Sequence, residues 1–174
     1  MSATGLDVFD KTLQISNIWL NEIMARVGPD RRVAWKVLST VLHKLRDRLP
    51  VEVAAHLGAE LPLLIRGVYY DQFEPGKQPG KCRNLGDFAD EVAAWLADTR
   101  PVDSLDAIGA VFATLSRHVA EGQIRKVQGV LPRDICTYWQ SIESADALTA
   151  EDAEEPMTGS YIPRGDGPAG KTLF

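Results

Sequence analysis

Three histidines and two cysteines are the side chains in this sequence with the strongest capacity for metal binding or nucleophilic chemistry. No two of them are spaced three or four apart, so none share a helix face. A plausible helical ligand pair joins His56 to Glu60, and a single pair does not make a metal site. Solvated positions on helix surfaces account for all three histidines. These five residues are His43, His56, His118, Cys82 and Cys136.

Nucleophilic or phosphate chemistry has no convergent set of residues either. Cys136 lies in a predicted helix, where packing is the simpler role for a small thiol. Cys82 lies between Lys81 and Arg83, and these cations favour the thiolate, so a redox-sensitive or intermolecular disulfide stays open. Neither a Walker loop nor a dinucleotide-binding glycine pattern occurs. We therefore predict no catalytic residue, cofactor or metal, and a protein that is more plausibly not an enzyme.

Aromatic residues and one arginine give the strongest sign of a binding surface. Tyrosine, tryptophan and arginine dominate protein interfaces, although the same residues also pack helices together. Both roles stay open: packing between two halves of the chain, or part of the set lining a groove for a partner. The candidate binding residues are Arg66, Tyr69, Tyr70, Phe73, Tyr138 and Trp139.

The elements that carry these residues are helices, and the second half of the chain repeats the first. Apolar residues from Ala34 to Leu49 recur every three or four positions, which predicts an amphipathic helix. A shift of about seventy residues reproduces this stripe and the later Leu-Pro pairs at Pro62 and Pro132. We predict helices A, B and a broken helix C in each half. Their ranges are 8–27, 31–49 and 51–70, then 85–98, 104–120 and 123–140.

Helix boundaries follow from local chemistry. Asp30 and Asp103 precede the two B helices as N-caps, and an interior proline costs about 3 kcal/mol, so Pro62 and Pro132 should kink helix C or start a new segment. The fold class is therefore all-α, with two quasi-equivalent three-helix repeats packed as one bundle. The predicted organisation is repeat 1 at 8–70, a linker at 71–84, repeat 2 at 85–140 and a disordered acidic tail at 141–174.

Three segments resemble a bacterial family known only as domain of unknown function 2267. They are "AELPLLIRGVYYDQF" at 59–73, "LGDFADEVAAWL" at 85–96 and "VQGVLPRDICTYW" at 127–139, and the likeness spans about 13–140. The resemblance implies a full-length family member with a C-terminal extension. It implies no activity, cofactor or site residue, and the linker here is longer than in the usual pattern.

Charge is uneven along the chain. Seven of the 24 acidic residues, but only two of the 19 basic ones, fall in 141–174, so the rest of the chain is neutral. That balance makes nucleic acid an unlikely partner, because phosphate binding relies on clustered basic residues. The one basic run, Arg26 to Arg48, is typical of a solvated helix face, with contact to the acidic tail, a protein or nucleic acid left as alternatives.

The functional expectation is a cytoplasmic interaction or adaptor module that binds another protein. No secretory signal or membrane span is evident, and self-association into a homo-oligomer stays open. A small-ligand binder or enzyme with a pocket between the repeats is the alternative, with Arg66, Tyr69 and Tyr70 positioning an anion or planar ligand. The tail is either inert or a tether with docking residues. Those residues are Tyr161, Ile162, Pro163, Arg164, Thr172, Leu173 and Phe174.

Overall fold

The structure, a computed structural model, describes residues 4–154, with side chains as far as Glu151. Throughout that range the regular structure is helical, which confirms the predicted all-α class. None of the helices described is both long and apolar enough to cross a bilayer. The helices are α1 (Asp7–Val27), α2 (Arg31–Arg46), α3 (Val51–Glu60), α4 (Leu63–Tyr70), α5 (Leu85–Leu96), α6 (Ser104–His118), α7 (Glu121–Val130) and α8 (Arg133–Glu154).

Two central helices, α2 and α6, organise the bundle. Helix α2 packs against α1, α4, α5 and α6, and α6 packs against α1, α2, α5, α7 and α8. All nine residues from Ala107 to Leu115 of α6 are buried, as expected for a helix that is apolar on every side. Several of them are alanine or glycine, so neighbouring helices can approach closely from several directions.

Helix starts follow the predicted capping chemistry. The Asp30 side chain accepts hydrogen bonds from the backbone N–H groups of Arg32 and Val33 at 2.9 and 3.2 Å. Asp103 accepts from Leu105 and Asp106 at 2.8 and 3.0 Å. Each cap satisfies N–H groups that have no partner inside the helix, and both predicted B-helix starts are confirmed.

The two Leu-Pro pairs interrupt helix C. Helix α3 ends at Glu60 and α4 starts at Leu63, and likewise α7 ends at Val130 and α8 starts at Arg133. Pro62 is extended (φ −56°, ψ 149°) and precedes the first residue of α4, so its missing N–H breaks no helical hydrogen bond. The proline therefore begins a new helix, one of the two predicted outcomes. The internal duplication itself stays a prediction, which superposition of 8–70 on 85–140 would test.

The C-terminal boundary differs from the prediction of a tail starting at residue 141. Helix α8 continues to Glu154, because residues after Gln140 are rich in alanine and glutamate, which favour helix. Asp146, in this extension, pairs with Arg26 of α1 and with Arg117 of α6 at 2.7 Å. These contacts anchor a segment whose acidity alone suggested disorder. The predicted docking residues from Tyr161 to Phe174 lie outside the described residues.

The predicted linker, 71–84, lies against the end of α2. It includes a 3-10 turn at Pro75–Lys77. Next to this turn, the Gln78 side chain donates to the carbonyl of Arg46 at 3.0 Å, and the Gly80 N–H donates to the carbonyl of Asp47 at 2.6 Å. These bonds satisfy carbonyls at the C-terminus of α2, so the linker acts as a cap on that helix.

Candidate functional site

The predicted binding residues of the first half lie on α4, where contacts within the protein hold them. Tyr69 has no exposed surface, and its hydroxyl donates to the carbonyl of Ala54 at 2.8 Å. The Arg66 guanidinium donates to the carbonyls of Ala59 and Leu61 at 2.7 and 2.9 Å, at the C-terminal end of α3. Tyr69 therefore packs in the core, and Arg66 caps a helix.

The remaining first-half candidates form a small aromatic cluster. Tyr70 meets Phe73 edge to face with ring centroids 5.5 Å apart, and the Tyr70 hydroxyl lies 3.3 Å from the carbonyl of Ala55. The Tyr70 ring covers Gly58 so closely that a Cβ there would have no room. Aromatic side chains thus fill the space between α3 and α4, and the ligand pocket between the repeats stays a prediction.

In the second half, Trp139 is also a core residue. It has no exposed surface and stacks on Phe112, with ring centroids 4.0 Å apart. The Trp139 indole N–H donates to the Ser116 hydroxyl at 2.8 Å. Tyr138 is half-buried, and its hydroxyl donates to the carbonyl of Leu105 at 2.7 Å. Complete burial excludes Trp139, like Tyr69, from a preformed binding surface.

Burial raises the pKa of Tyr69 above its ordinary value of 10.0, which makes alkaline stability a test of this packing. Above pH 10 the unfolded chain loses the Tyr69 proton while the folded protein keeps it, so folding stability falls with rising pH. Between pH 9 and 11, we expect the free energy of unfolding of the wild type to fall by about 1.4 kcal/mol more than that of Tyr69→Phe. Urea unfolding at both pH values measures the difference, and equal losses in the two proteins would contradict the expectation.

The basic run from Arg26 to Arg48 is not a uniformly solvated face. Arg46 is 3% exposed, and its guanidinium donates to the carbonyls of Tyr69 and Asp71 at the C-terminal end of α4. Arg48 is also buried and pairs with Glu91 of α5. The prediction of solvation is wrong for these two arginines, because their guanidinium groups reach acceptors on neighbouring helices.

Two other basic residues of the run also pair with acids. The Lys36 ammonium donates a hydrogen bond to the Asp98 carboxylate, and this bond lowers the pKa of Asp98. Arg26 pairs with Asp146, inside the range predicted as tail, so the alternative of contact with that acidic segment is realised at this position. Because several basic side chains of this run already pair with acids inside the protein, fewer of them are free to bind an external anion.

Two of the three histidines contact other helices, contrary to the prediction that all are solvated. His118 stacks on Trp19 with ring centroids 5.3 Å apart, and its Nε2 lies 2.8 Å from Oε1 of Glu22. His43 Nε2 lies 2.6 Å from the carbonyl of Val68. His56 is exposed. Within residues 4–151, no group of three or more histidine, cysteine or acidic side chains has a geometry for metal binding.

Both cysteines are free and half-buried. Cys82 packs against the hydrophobic core, and its sulfur lies 3.4 Å from the carbonyl of Asn84. The redox role of Cys82 stays a prediction.

An apolar groove lies between the N-terminal part of α1 and α4. It has a volume of about 510 Å³. Phe9, Leu63 and Leu64 are 51%, 58% and 39% exposed along it, although aliphatic and aromatic side chains of this size are usually buried. We call this surface the apolar groove; its lining residues are Phe9, Thr12, Leu63, Leu64, Gly67, Val68 and Asp71.

A second depression, the polar cleft, lies between α6, α7 and α8. It has a volume of about 550 Å³, and its lining includes Arg117 of α6, Gln128 of α7, and Glu143 and Asp146 of α8. Glu143 is half-buried, and Ser116 and Gln128 donate to its two carboxylate oxygens at 2.7 and 3.2 Å. Both donors are neutral, and no basic side chain pairs with this carboxylate among the described residues.

Sequence reasoning missed both depressions. Phe9 and Leu63 follow helical spacing, so the sequence pattern does not distinguish them from core positions. Glu143 was counted among the acids of a tail. No local signal in the sequence distinguished Glu143 from the other acids after Gln140.

Comparison with known proteins identifies one family over most of the chain. No curated protein matches the chain. Residues 16–138 match the family described as "Uncharacterized conserved protein (DUF2267)". The matched region starts within α1 and ends within α8, so it covers α2 to α7 completely and includes one side of each depression described above. The chain belongs to the DUF2267 family.

Proposed function

We propose that this chain is a cytoplasmic protein-interaction module whose docking site is the apolar groove. The observation that carries the proposal is the exposure of Phe9 and Leu63 along one depression, at 51% and 58%. Contiguous exposed apolar surface is typical of interaction sites. The occupant we propose is an apolar helical segment of another protein, which would bury these side chains on binding.

The face of α1 that packs on the other helices continues towards the N-terminus beyond the point where those helices cover it. Ser16, Trp19 and Ile23 are buried and spaced three and four apart. Phe9 and Thr12 continue the same spacing towards the N-terminus but line the open groove. The stripe of α1 is therefore longer than the surface that covers it, and the uncovered turns can receive a partner helix.

Charge around the groove defines the partner further. Asp71, an exposed acid, lies at one end of the lining. An exposed acid at the rim favours partners with lysine or arginine beside the apolar anchors, and such pairs affect association rate and specificity more than affinity. We therefore propose an amphipathic partner helix with basic flanks. The predicted tail docking residues contribute nothing to this proposal.

Photo-crosslinking in the native cell tests the proposal. A photoreactive amino acid at Leu64 is expected to give one discrete adduct with another protein, whereas the same amino acid at Leu148, 64% exposed on α8, should not. Phe9→Asp and Leu63→Asp should each weaken binding of the captured partner at least about tenfold, or 1.4 kcal/mol, by titration calorimetry. Thermal unfolding should change little, because both side chains are already half-exposed.

The control variant is Leu148→Asp, which places the same charge on a distant exposed leucine. It should leave partner affinity unchanged. The proposal fails if this variant weakens binding as much as Leu63→Asp does. It also fails if the Leu64 adduct contains only a second copy of this chain, which would make the groove a self-association surface.

A further inference from the structure

The polar cleft holds a carboxylate that no basic side chain neutralises. Glu143 accepts hydrogen bonds from Ser116 and Gln128, and among the described residues it has no ion pair. Asp146, one helical turn later in the same cleft, pairs with both Arg26 and Arg117. The third acid of the cleft, Glu121, pairs with Arg125, so among the acids described in the lining only Glu143 has no ion pair.

Hydrogen bonds from the core hold this carboxylate in place. The buried Trp139 indole N–H donates to the Ser116 hydroxyl at 2.8 Å, and that hydroxyl donates to Oε1 of Glu143 at 2.7 Å. Gln128, itself 6% exposed, donates to the other oxygen. Because these donors already hold the Glu143 side chain in one orientation, little conformational entropy is lost when a ligand binds.

The first half of the chain is packed with aromatic rings where the second half has this cleft. The Tyr70 ring contacts Phe73 and fills the space over Gly58. At the predicted offset of seventy residues, Tyr70 corresponds to Gln140, which lines the cleft of about 550 Å³. A tyrosine at position 140 is therefore expected to occupy part of the cleft.

The chemistry of the cleft selects a cation that can donate hydrogen bonds. A half-buried carboxylate interacts more strongly with a charged donor than an exposed one does, because less water screens the pair. The remaining lone pairs of Glu143 fit an N–H donor, and Ala113 and Ile124 offer apolar contact for a carbon chain. Arg117 lines the same cleft and would repel a second positive charge, so the ligand should carry only one.

We propose that the polar cleft is a binding site for a single ammonium or guanidinium group, with Glu143 as its anionic acceptor. This group belongs either to a free small molecule or to a lysine or arginine side chain of a peptide. The site is separate from the apolar groove and would function whether or not that groove binds a partner.

The test is a titration of ¹⁵N-labelled full-length protein followed by the indole N–H resonance of Trp139. Butylammonium and ethylguanidinium are the small cations, butylurea is the neutral analogue, and tetramethylammonium is a cation without N–H donors. The Trp139 resonance should shift with the first two and not with the others, because a cation on Glu143 polarises the Ser116 bond. A capped tripeptide with one central arginine forms the second arm: tighter binding than ethylguanidinium identifies a peptide source, and weaker binding identifies a small molecule.

Three variants complete the experiment. Glu143→Gln should weaken binding of the better cation at least tenfold, and Asp146→Asn, which alters an acid already paired with arginines, should change it less than threefold. Gln140→Tyr, which copies the first half, should also abolish binding while Glu143 stays charged, and it keeps the test valid if Glu143→Gln unfolds. Absence of any shift with either cation up to 50 mM, on the order of the weakest useful affinity, overturns the proposal. So does equal binding of butylurea, or equal binding by Glu143→Gln.

Discussion

Trp139→Ala is expected to lower the free energy of unfolding by about 3–5 kcal/mol, because it removes the largest ring from the centre of the second half. Trp139 has no exposed surface and stacks on Phe112 at 4.0 Å between ring centroids. Its loss leaves a cavity against α6, a helix buried on every side, which has little freedom to collapse inwards. The Ser116 hydroxyl also loses the indole donor. Urea unfolding followed by circular dichroism measures the change.

Trp95→Ala is the matched control for this experiment. Trp95 lies on α5 and is 53% exposed, so its removal opens no cavity and should cost less than about 1 kcal/mol. Its one specific contact is with Lys44, whose ammonium lies 4.8 Å from the ring centroid. If the two variants unfold at the same urea concentration, Trp139 does not have the core position described here.

Arg46→Met should destabilise the protein by about 3–5 kcal/mol, because the substitution leaves buried acceptors without donors. The Arg46 guanidinium donates to the carbonyls of Tyr69 and Asp71, and its plane lies 5.3 Å from the centroid of Phe73. Methionine fills similar space but offers no N–H group. Those carbonyls belong to the C-terminal end of α4, so amide hydrogen exchange there should accelerate more than in α6.

The matched control here is Arg125→Met, at a guanidinium that is 74% exposed and pairs only with Glu121 one turn before it. Surface ion pairs of this kind contribute little to stability, so the free energy of unfolding should change by no more than about 0.5 kcal/mol. Arg46→Lys should fall between the two, because one ammonium cannot match the forked donor geometry of arginine. An Arg46→Met protein with wild-type stability would show that water replaces the guanidinium at no cost.

The positions of the helices were predictable from the sequence because local chemistry determines them. The stripe of α2, the capping residues Asp30 and Asp103, and the breaks at Pro62 and Pro132 all depend on residues within a few positions of one another. The extension of α8 was missed although its alanine and glutamate residues favour helix. The contact that anchors it joins Asp146 to Arg26, which is 120 residues away in the sequence, so local chemistry does not reveal it.

The same distinction explains the candidate sites. Burial of Tyr69 and Trp139 follows from helix packing, whereas the aromatic pattern alone left both packing and binding open. The apolar groove was hidden because Phe9 has the spacing of a core residue, and only the packing of the helices shows that nothing in the described protein covers it. Glu143 was hidden by its acidic neighbours, since a count of charges does not show which acids have partners.

The anchoring of α8 by Asp146 has a practical consequence for deletion experiments. A cut at residue 141 would remove Glu143 and Asp146 along with the C-terminal segment, which separates Arg26 and Arg117 from their acid and opens the polar cleft. Loss of a partner from such a shortened protein would then report damage to the bundle instead of a missing tether. A cut after Glu154 keeps those contacts intact, so it is the boundary at which the contribution of the last twenty residues can be separated from that of the folded body.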